Sequence, residues 1–282
     1  MSKDQVNIKK NSGDVEPFSI KKLKESLTNC GVKNDEIDSI VQIIEPQVYD
    51  GISSEEIHEK VFPLLKKYDR IYASKYNLKR AIFDLGPTGY PFERLVGALL
   101  KEKGFETKVS VILNGECVTH EIDVLAEKDG NTYAIECKFH SEANAASNVK
   151  VPLYINSRFL DVQKQWNSDP QNKTHLKQGW LVTNTRFTSD AINYGKCIGL
   201  TLLGWDYPKN NGVKANIDAY GLYPITALTT LTKKEKERLI EKDIILVKEL
   251  GIKSHYLNEL NLTSGRIKKV ISEIGQLCRT NL

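Results

Sequence analysis

Residues 121–138 read EIDVLAEKDGNTYAIECK, and this stretch predicts a β-hairpin. Asp129-Gly130 is a strong signal for a two-residue turn, and apolar residues lie on both sides of it. If this dipeptide forms a type I′ turn, the strand register places Asp123 directly opposite Glu136 on one face. Lys138 follows Glu136 by two residues, so it is predicted to share that face.

Two carboxylates that face each other across a hairpin destabilise it unless a cation compensates their charge. Carboxylate oxygens are preferred ligands of Mg²⁺, which can polarise a phosphoryl oxygen and make a nucleophile available near neutral pH. Asp123 and Glu136 are therefore candidate metal ligands, and Lys138 could stabilise charge that develops on a phosphate. Glu93, on a predicted helix before the hairpin, could supply a further oxygen. The alternative is a solvated hairpin with a weak surface ion triad.

The segments around the hairpin predict an α/β layer with a mixed sheet. Asn114-Gly115 is typical of a second hairpin turn, which would join the preceding strand to the first strand of the hairpin. The predicted elements outside the hairpin are a helix over 92–100, a strand over 105–113, a helix over 155–166, a buried strand over 180–183, a helix after Thr188 and a strand over 200–203.

Residues 1–88 predict a short extended stretch followed by four helices. Ser53 and Glu56 fit a capping box that would start the third helix. The fourth helix is predicted over about 70–85, and the glycine- and proline-rich segment 86–91 then marks a domain boundary. The predicted domains are residues 1–88, residues 89–223 and residues 224–282, of which the last predicts short charged helices.

The overall composition excludes few functions, and the distribution of charge along the chain is more informative. The sequence has 282 residues and a formal net charge of +4. Residues 1–88 and 89–223 are each balanced, whereas residues 224–282 hold eleven basic and seven acidic side chains. The polar start and the lack of a long apolar run predict neither a signal peptide nor a membrane span. Five scattered cysteines without a CxxC pair favour a reducing cytoplasm.

The hairpin motif resembles the core of the PD-(D/E)XK nucleases, in the Mrr-type branch of restriction endonucleases. The resemblance covers about residues 90–206 and implies that Asp123, Glu136 and Lys138 are the catalytic triad. It also implies that Glu93 is an accessory carboxylate and that Mg²⁺ or Mn²⁺ is the cofactor. Some Mrr-type enzymes carry Gln where this chain has Glu136. The motifs on which the nuclease resemblance rests are Phe92-Glu93, Glu121-Ile-Asp123, Ile135-Glu136-Cys-Lys138 and a later block over 180–191 and 199–205.

A second resemblance lies in the N-terminal segment. Residues 8–13 and 16–23, together with the helices up to residue 81, are similar to the ATP-cone domain. The resemblance implies that ATP or dATP binds there as a regulatory ligand and that Lys9, Lys10 and Lys22 hold it. Lysine ammonium groups suit a triphosphate as point charges. The alternative is a solvated basic surface on a cone-like fold that has lost its nucleotide.

The C-terminal segment is weakly similar to a helix-hairpin-helix module that contacts the DNA backbone. Thr232 and Glu235 fit a capping box at the start of a basic helix. Such a helix would bind phosphates without sequence preference and with a strong dependence on salt. The alternative is an ordinary solvated helix face. The basic residues concerned are Lys233, Lys234, Lys236 and Arg238.

Together these features predict a multi-domain α/β protein: a helical ATP-cone, then a restriction-endonuclease-like α/β core with a mixed sheet, then a small helical C-terminal segment. The predicted function is that of an Mg²⁺-dependent DNA endonuclease of the Mrr-like restriction type, located in the cytoplasm and regulated by ATP or dATP. Its expected partners are DNA and the nucleotide, and a homodimer is one possible assembly. The alternatives are a nuclease of DNA repair or branched-DNA processing, and a catalytically idle nucleotide-sensing DNA-binding protein.

Overall fold

The N-terminal part of the molecule is a small three-stranded sheet with five helices. The computed structural model describes residues 6–10 and 13–278. β1 lies between its two neighbours, antiparallel to β2 and parallel to β3. The elements are β1 (Asn7–Lys9), β2 (Val15–Pro17), α1 (Ile20–Thr28), α2 (Asn34–Ile44), β3 (Ile52–Ser53), α3 (Ser54–Tyr68), α4 (Arg70–Tyr76) and α5 (Leu78–Phe83).

Local sequence signals determine where most of these helices begin. The predicted capping box of α3 is confirmed, because Ser53 Oγ accepts a hydrogen bond from the Glu56 N–H at 3.0 Å and the Glu56 carboxylate accepts one from the Ser53 N–H. The prediction of a single helix over 70–85 is wrong. Asn77, at φ −85° and ψ 2°, leaves the helical region and separates α4 from α5. Apolar faces of α1, α2 and α3 pack a core of their own.

The central part is an α/β layer built on a five-stranded sheet of order β10-β8-β6-β5-β4. β4, β5 and β6 are antiparallel, whereas β6, β8 and β10 are parallel, so the predicted mixed sheet is confirmed. The elements are α6 (Tyr90–Glu102), β4 (Glu106–Asn114), β5 (Thr119–Lys128), β6 (Asn131–Lys138), β7 (Ala146–Ser147), α7 (Lys150–Ser168), β8 (His175–Thr183), β9 (Arg186–Phe187), α8 (Ser189–Cys197) and β10 (Thr201–Leu203).

The hairpin between β5 and β6 has the predicted turn and register. Asp129 and Gly130 both have positive φ, at 51° and 72°, as a type I′ turn requires. The pairing begins at the residues that flank the turn and continues to Val124 opposite Ile135. The next positions along the two strands are Asp123 and Glu136, so the register brings the two predicted ligands to the same end of the hairpin.

The predicted two-residue turn at Asn114-Gly115 is wrong. Asn114 pairs with Thr119, which leaves a four-residue loop in which the Gly115 N–H donates to the Val118 carbonyl at 2.8 Å. A long-range contact explains the longer loop, because the Asp161 carboxylate on α7 accepts backbone hydrogen bonds from it. Gly115 lies so close that a Cβ atom there would be 2.0 Å from an Asp161 oxygen. The loop is therefore shaped by α7 rather than by local turn preference.

The C-terminal segment packs into the main core instead of extending from it. Its buried residues belong to the same apolar cluster as those of α5, α6 and the central sheet. The buried Glu273 carboxylate accepts hydrogen bonds from Ser74 of α4 and from the backbone N–H groups of Thr229 and Thr230. The helices that follow the central sheet are α9 (Val213–Tyr220), α10 (Lys233–Glu241), α11 (Val247–Ile252), α12 (Tyr256–Glu259) and α13 (Ser264–Leu277), of which the last four belong to the C-terminal segment. None of the helices that the structure describes is long and apolar enough to cross a bilayer.

Candidate active site

Three carboxylates come together at the end of the β5–β6 hairpin that lies away from its turn. Asp123 is half-buried on β5, and its Oδ2 accepts a hydrogen bond from the Cys137 N–H at 2.6 Å. Glu136 on β6 is 8% exposed. Glu93 reaches the same place from the first turn of α6. The three predicted acidic residues are therefore neighbours in the fold, although they come from three different elements.

The strand is irregular at Asp123, which affects where its carboxylate can reach. Val124 packs in the core beside α6, whereas Ile122 packs in a separate cluster with Val162 of α7. Facing this interruption on β4 is Ser110, which has a φ of 54°. A positive φ is uncommon for a residue other than glycine and is found disproportionately at functional sites. The Ser110 hydroxyl lies 3.5 Å from a Glu93 oxygen.

Burial and mutual repulsion make these carboxyl groups weak acids. Burial raises the pKa of Glu136 to about 8, and the charge of Asp123 adds to the rise. Burial raises the pKa of Glu93 to about 7, again with a contribution from Asp123. The pKa of Asp123 is also raised, chiefly by burial. The site therefore retains protons near neutral pH unless a cation neutralises it.

Arg158 on α7 is a site residue that sequence reasoning missed. Its Nη1 donates to Glu136 Oε2 at 2.8 Å, and its Nη2 donates to the Glu121 carbonyl. The other Glu136 oxygen, Oε1, is buried without a hydrogen-bond partner among the described residues. Buried acceptors are normally paired, so an orphaned one next to further carboxylates is a position that a cation fits. The hard oxygen donors of Asp123 and Glu136 suit Mg²⁺ or Mn²⁺.

A more compact acidic group lies elsewhere, at the loop between β4 and β5. Ligand atoms of Glu116, Cys117 and Asp161 lie within 4.8 Å of one another. Among the described residues, no other group of three such side chains is this compact. The oxygens of Glu93, Asp123 and Glu136 are more widely spread. The charges of Glu93, Asp123 and Glu136 nevertheless act on one another, since Asp123 raises the pKa of both glutamates and Glu93 contributes to the rise at Glu136.

Lys138 ends β6 with an exposed side chain, and its backbone is firmly held. The Thr183 hydroxyl donates to the Lys138 carbonyl at 2.7 Å. Two residues further on, the His140 N–H donates to Asn184 Oδ1 and the His140 carbonyl accepts from Asn184 Nδ2, both at 2.8 Å. Burial lowers the pKa of His140, and the Lys138 charge adds to this effect. The ammonium of Lys138 is thus free to meet solvent while its main chain is fixed.

Two of the three lysines predicted to bind nucleotide share one acidic partner. Glu16 Oε2 lies 2.7 Å from the ammonium of Lys10 and 3.0 Å from that of Lys22. Lys9, the last residue of β1, is exposed. Lys10 also lines a cleft of about 700 Å³ between the N-terminal domain and the central sheet. The structure therefore brings Lys10 and Lys22 together and places Lys10 at a cavity.

Comparisons with known families find three matches along the chain. Residues 6–82 match the ATP cone domain, residues 87–206 match a restriction endonuclease domain, and residues 223–278 match the domain described as AF1548-like, C-terminal. The chain contains an ATP-cone domain followed by a restriction endonuclease-like domain, as its sequence predicts. The helical C-terminal segment corresponds to the third match.

Two relatives align with most of their own length. An uncharacterized protein of Archaeoglobus fulgidus is 38% identical over 176 residues, which cover 62% of this chain and 95% of that protein. The crystal structure of a protein of unknown function, AF1548, is 36% identical with a TM-score of 0.55 and covers 68% of this chain and 98% of that chain. The restriction endonuclease MspJI in complex with an oligonucleotide, at 10% identity and a TM-score of 0.33, is too distant to support an argument. The chain therefore belongs to the AF1548-like family.

Proposed function

We propose that this chain is a metal-dependent endodeoxyribonuclease of the Mrr-like restriction type, which hydrolyses DNA phosphodiester bonds with Mg²⁺ or Mn²⁺ as cofactor. The observation that carries the proposal is the buried Oε1 of Glu136, which has no hydrogen-bond partner in the part of the chain that the structure describes and lies beside Asp123 within a restriction endonuclease-like domain. A structural carboxylate would have donors on both oxygens, whereas a ligand needs an open one.

The proposed roles follow from the surroundings of each side chain. Asp123 and Glu136 hold the cation, which when bound supplies charge neutralisation at the phosphate. Lys138 orients the nucleophile and stabilises the negative charge that develops on the phosphate, since its ammonium is exposed and not buried in an ion pair. Arg158 fixes one oxygen of Glu136, while the other has no hydrogen-bond partner among the described residues. Glu93 contributes the third negative charge and strengthens the attraction for a cation.

Cleavage of supercoiled plasmid tests this proposal directly. The wild-type protein should cut DNA with Mg²⁺ and not with EDTA, and Asp123→Ala and Lys138→Ala should each abolish cutting. Glu127→Gln is the matched control, because Glu127 lies on the same strand as Asp123 but pairs near the turn. Because the family resemblance implies a restriction enzyme, methylated and unmethylated plasmids should both be tried. A wild-type protein that binds these DNAs but cuts none of them would contradict the proposed nuclease activity.

The ATP-cone domain is proposed to bind ATP or dATP as a regulatory ligand. Support comes from the match of residues 6–82 and from the position of Lys10 at the 700 Å³ cleft. Lys9 and Lys22 are the further proposed phosphate contacts. Calorimetric titration with ATP and dATP should show binding that Lys10→Ala and Lys22→Ala weaken. Lys24→Ala is the matched control, since Lys24 lies on α1 with Lys22 but pairs with Asp38 at 2.6 Å. Equal affinity in all variants would contradict the assignment.

A further inference from the structure

The cleft beside Lys10 is built from two domains. One wall belongs to the ATP-cone domain, through α3, α5 and the end of α4, and the other belongs to the nuclease-like domain, through β9 and the segment after β10. No single domain encloses it. The residues that carry the argument are Lys10, His58, Tyr76 and Lys79 on the first wall and Arg186 and Trp205 on the second.

The side chains of the cleft suit a ligand with an aromatic base and several phosphates. His58 and Tyr76 are stacked with ring centroids 4.8 Å apart, and the Lys79 ammonium lies 6.0 Å from the centroid of the Trp205 ring. Among the residues that the structure describes, neither Lys79 nor Arg186 lies within 4.0 Å of a carboxylate oxygen as an ion pair. These two exposed cations approach the cleft from opposite walls. The charge of Asp206, which also lines the cleft, acts on Lys79 without forming a close ion pair. A cation without a close ion-pair partner is one that an anionic ligand can recruit.

The nuclease wall of the cleft connects directly to the candidate active site. Thr185 lines the cleft and its carbonyl accepts a hydrogen bond from the Trp205 N–H at 2.8 Å. The Thr185 N–H donates to the Thr183 hydroxyl at 3.3 Å, and this hydroxyl donates to the Lys138 carbonyl at 2.7 Å. Asn184, between them, forms the paired hydrogen bonds with the His140 backbone.

These contacts make one short buried relay. Thr183, Asn184 and Thr185 are at most 2% exposed. Three consecutive buried polar residues are costly unless each is satisfied. Thr183 and Asn184 bond to the segment that carries Lys138, and Thr185 bonds to the Thr183 hydroxyl. A ligand that contacts Arg186 or Trp205 can therefore bias the position of Lys138 through covalent and hydrogen-bonded neighbours.

We propose that the nucleotide bridges the two domains in this cleft, with Arg186 of the nuclease-like domain as one of its phosphate ligands, and that its occupancy is transmitted to Lys138 through residues 183–185. The inference rests on the nucleotide binding and the nuclease activity proposed above, and it adds the site's second half and its route to the catalytic strand. A ligand shifts a conformational equilibrium only by contacting its states differently, and contacts from both walls supply that difference.

The composite site is tested by binding. ATP, dATP and inorganic triphosphate are titrated calorimetrically into the full-length protein. This measurement of binding does not depend on cleavage of DNA. Arg186→Ala should weaken ATP binding by roughly 5- to 50-fold, about the loss of one charge-assisted contact. Lys196→Ala is the matched control, because Lys196 is an exposed cation of the same domain outside the cleft, and it should change affinity less than about twofold. Unchanged affinity in Arg186→Ala, or no binding of ATP or dATP by the wild type, would overturn the composite site.

The relay is tested by hydrogen exchange, which does not require the enzyme to cut DNA. ATP should change the exchange of a peptide covering residues 137–142 in the wild type, because the His140 N–H is bonded to Asn184. Thr183→Val, which removes the hydroxyl to Lys138 while keeping the shape, should abolish this response without weakening ATP binding. Thr183→Ser, which keeps the hydroxyl, should restore it and also serves if the valine variant fails to fold.

The two sets of results separate the possible failures. If the protein never cleaves DNA but ATP still alters exchange at residues 137–142, the nuclease is wrong and the relay stands. If cleavage and ATP binding both occur while Arg186→Ala and the exchange of this peptide are unaffected, the relay is wrong and the proposed function stands. In a cleaving protein, the ratio of rates with and without ATP should fall towards one in Thr183→Val.

Discussion

Two acidic groups near the central sheet each contain aspartate and glutamate but have opposite electrostatics. Glu136 is buried beside Asp123, and its pKa is raised to about 8. Asp161 accepts hydrogen bonds from the Cys117 and Val118 N–H groups and lies 2.7 Å from His120 Nε2, so its pKa is lowered to about 2, with His120 as the largest cause. The hydrogen-bond donors around each carboxylate, and not the residue type, account for the opposite pKa shifts of Glu136 and Asp161.

The proposed metal site at the hairpin is the less compact of the two acidic groups. Glu116, Cys117 and Asp161 form the tighter group, yet the Asp161 oxygens are occupied by the loop and Glu116 pairs with Lys164 at 2.6 Å. The hairpin site is looser, but it has a buried oxygen that finds no hydrogen-bond partner among the described residues. This open oxygen is the feature that the proposed metal site has and the loop anchor lacks.

The largest expected difference between the groups is in catalysis. Asp123→Asn should lower the rate of plasmid cleavage at least about 1000-fold, because a proposed metal ligand is lost. Asp161→Asn should change it less than about threefold at 25 °C, because Asp161 only anchors a loop. Initial cleavage rates at saturating Mg²⁺ measure both. Comparable losses in the two variants would remove the distinction between the groups.

The next largest effect is the pH dependence of metal binding. Since the pKa values of Glu93 and Glu136 are raised to about 7 and about 8, a cation must displace protons at neutral pH. Affinity for Mg²⁺ or Mn²⁺ should therefore rise with pH between 6 and 8.5, by up to about tenfold per unit for each proton released. Calorimetry in buffers of different ionisation enthalpy counts these protons. Glu136→Gln should flatten the dependence, and a flat wild-type profile would contradict the raised pKa values.

Stability should respond to the two groups with opposite signs. Between about pH 4.5 and 8 the folded, metal-free protein retains protons on Glu136 that the unfolded chain has released, so its free energy of unfolding falls as pH rises. Asp161, with a lowered pKa, stabilises the fold above about pH 3.9, and this contribution is lost as pH falls through about 2.

In EDTA at pH 8, Asp123→Asn should raise Tm by roughly 1–3 °C because it relieves repulsion, and Asp161→Asn should lower Tm by a similar amount or more. Differential scanning fluorimetry at pH 5 and pH 8 measures both. The gain from Asp123→Asn should shrink at pH 5, where the cluster already holds protons. A destabilised Asp123→Asn protein at pH 8 would show that repulsion is not the dominant interaction.

The smallest expected effect concerns DNA binding by the lysines of α10, which again divide into a side chain bonded within the protein and side chains that are exposed. Lys236 of α10 donates to the Thr226 carbonyl, whereas Lys233 and Lys234 on the same helix are exposed. If α10 contacts DNA, the double substitution of Lys233 and Lys234 by Gln should weaken nonspecific binding two- to fivefold and reduce the salt slope by about 1–2. Fluorescence anisotropy at several salt concentrations measures this. An unchanged slope would restrict DNA contact to other surfaces.

Signals that act over a few residues were readable from the sequence. The turn at Asp129-Gly130 requires two residues that tolerate positive φ, and it alone specifies the register that brings Asp123 and Glu136 to one end of the hairpin. The capping boxes at Ser53 and Thr232 formed for the same local reason. Hydrophobic periodicity predicted the mixed sheet and the helices around it, because each element buries one face.

Interactions between distant elements were not readable from the sequence. Arg158 meets Glu136 across 22 positions, Asp161 binds the loop at Cys117 from 44 positions away, and Glu273 joins α13 to α4 across 199. No local preference encodes these distances. The lengthened loop and the integration of the C-terminal helices were mispredicted or missed for this reason.

The sequence by itself therefore determined the elements, the hairpin register and the residues that could form a nuclease site, because backbone and turn preferences are local. Only the tertiary structure decided which carboxylate lies next to donors and which is left with an open oxygen, and which cations line the cleft between the domains. Hydrogen-bond satisfaction and burial depend on packing between segments that are far apart in the chain, and these two quantities separate a structural acid from a reactive one.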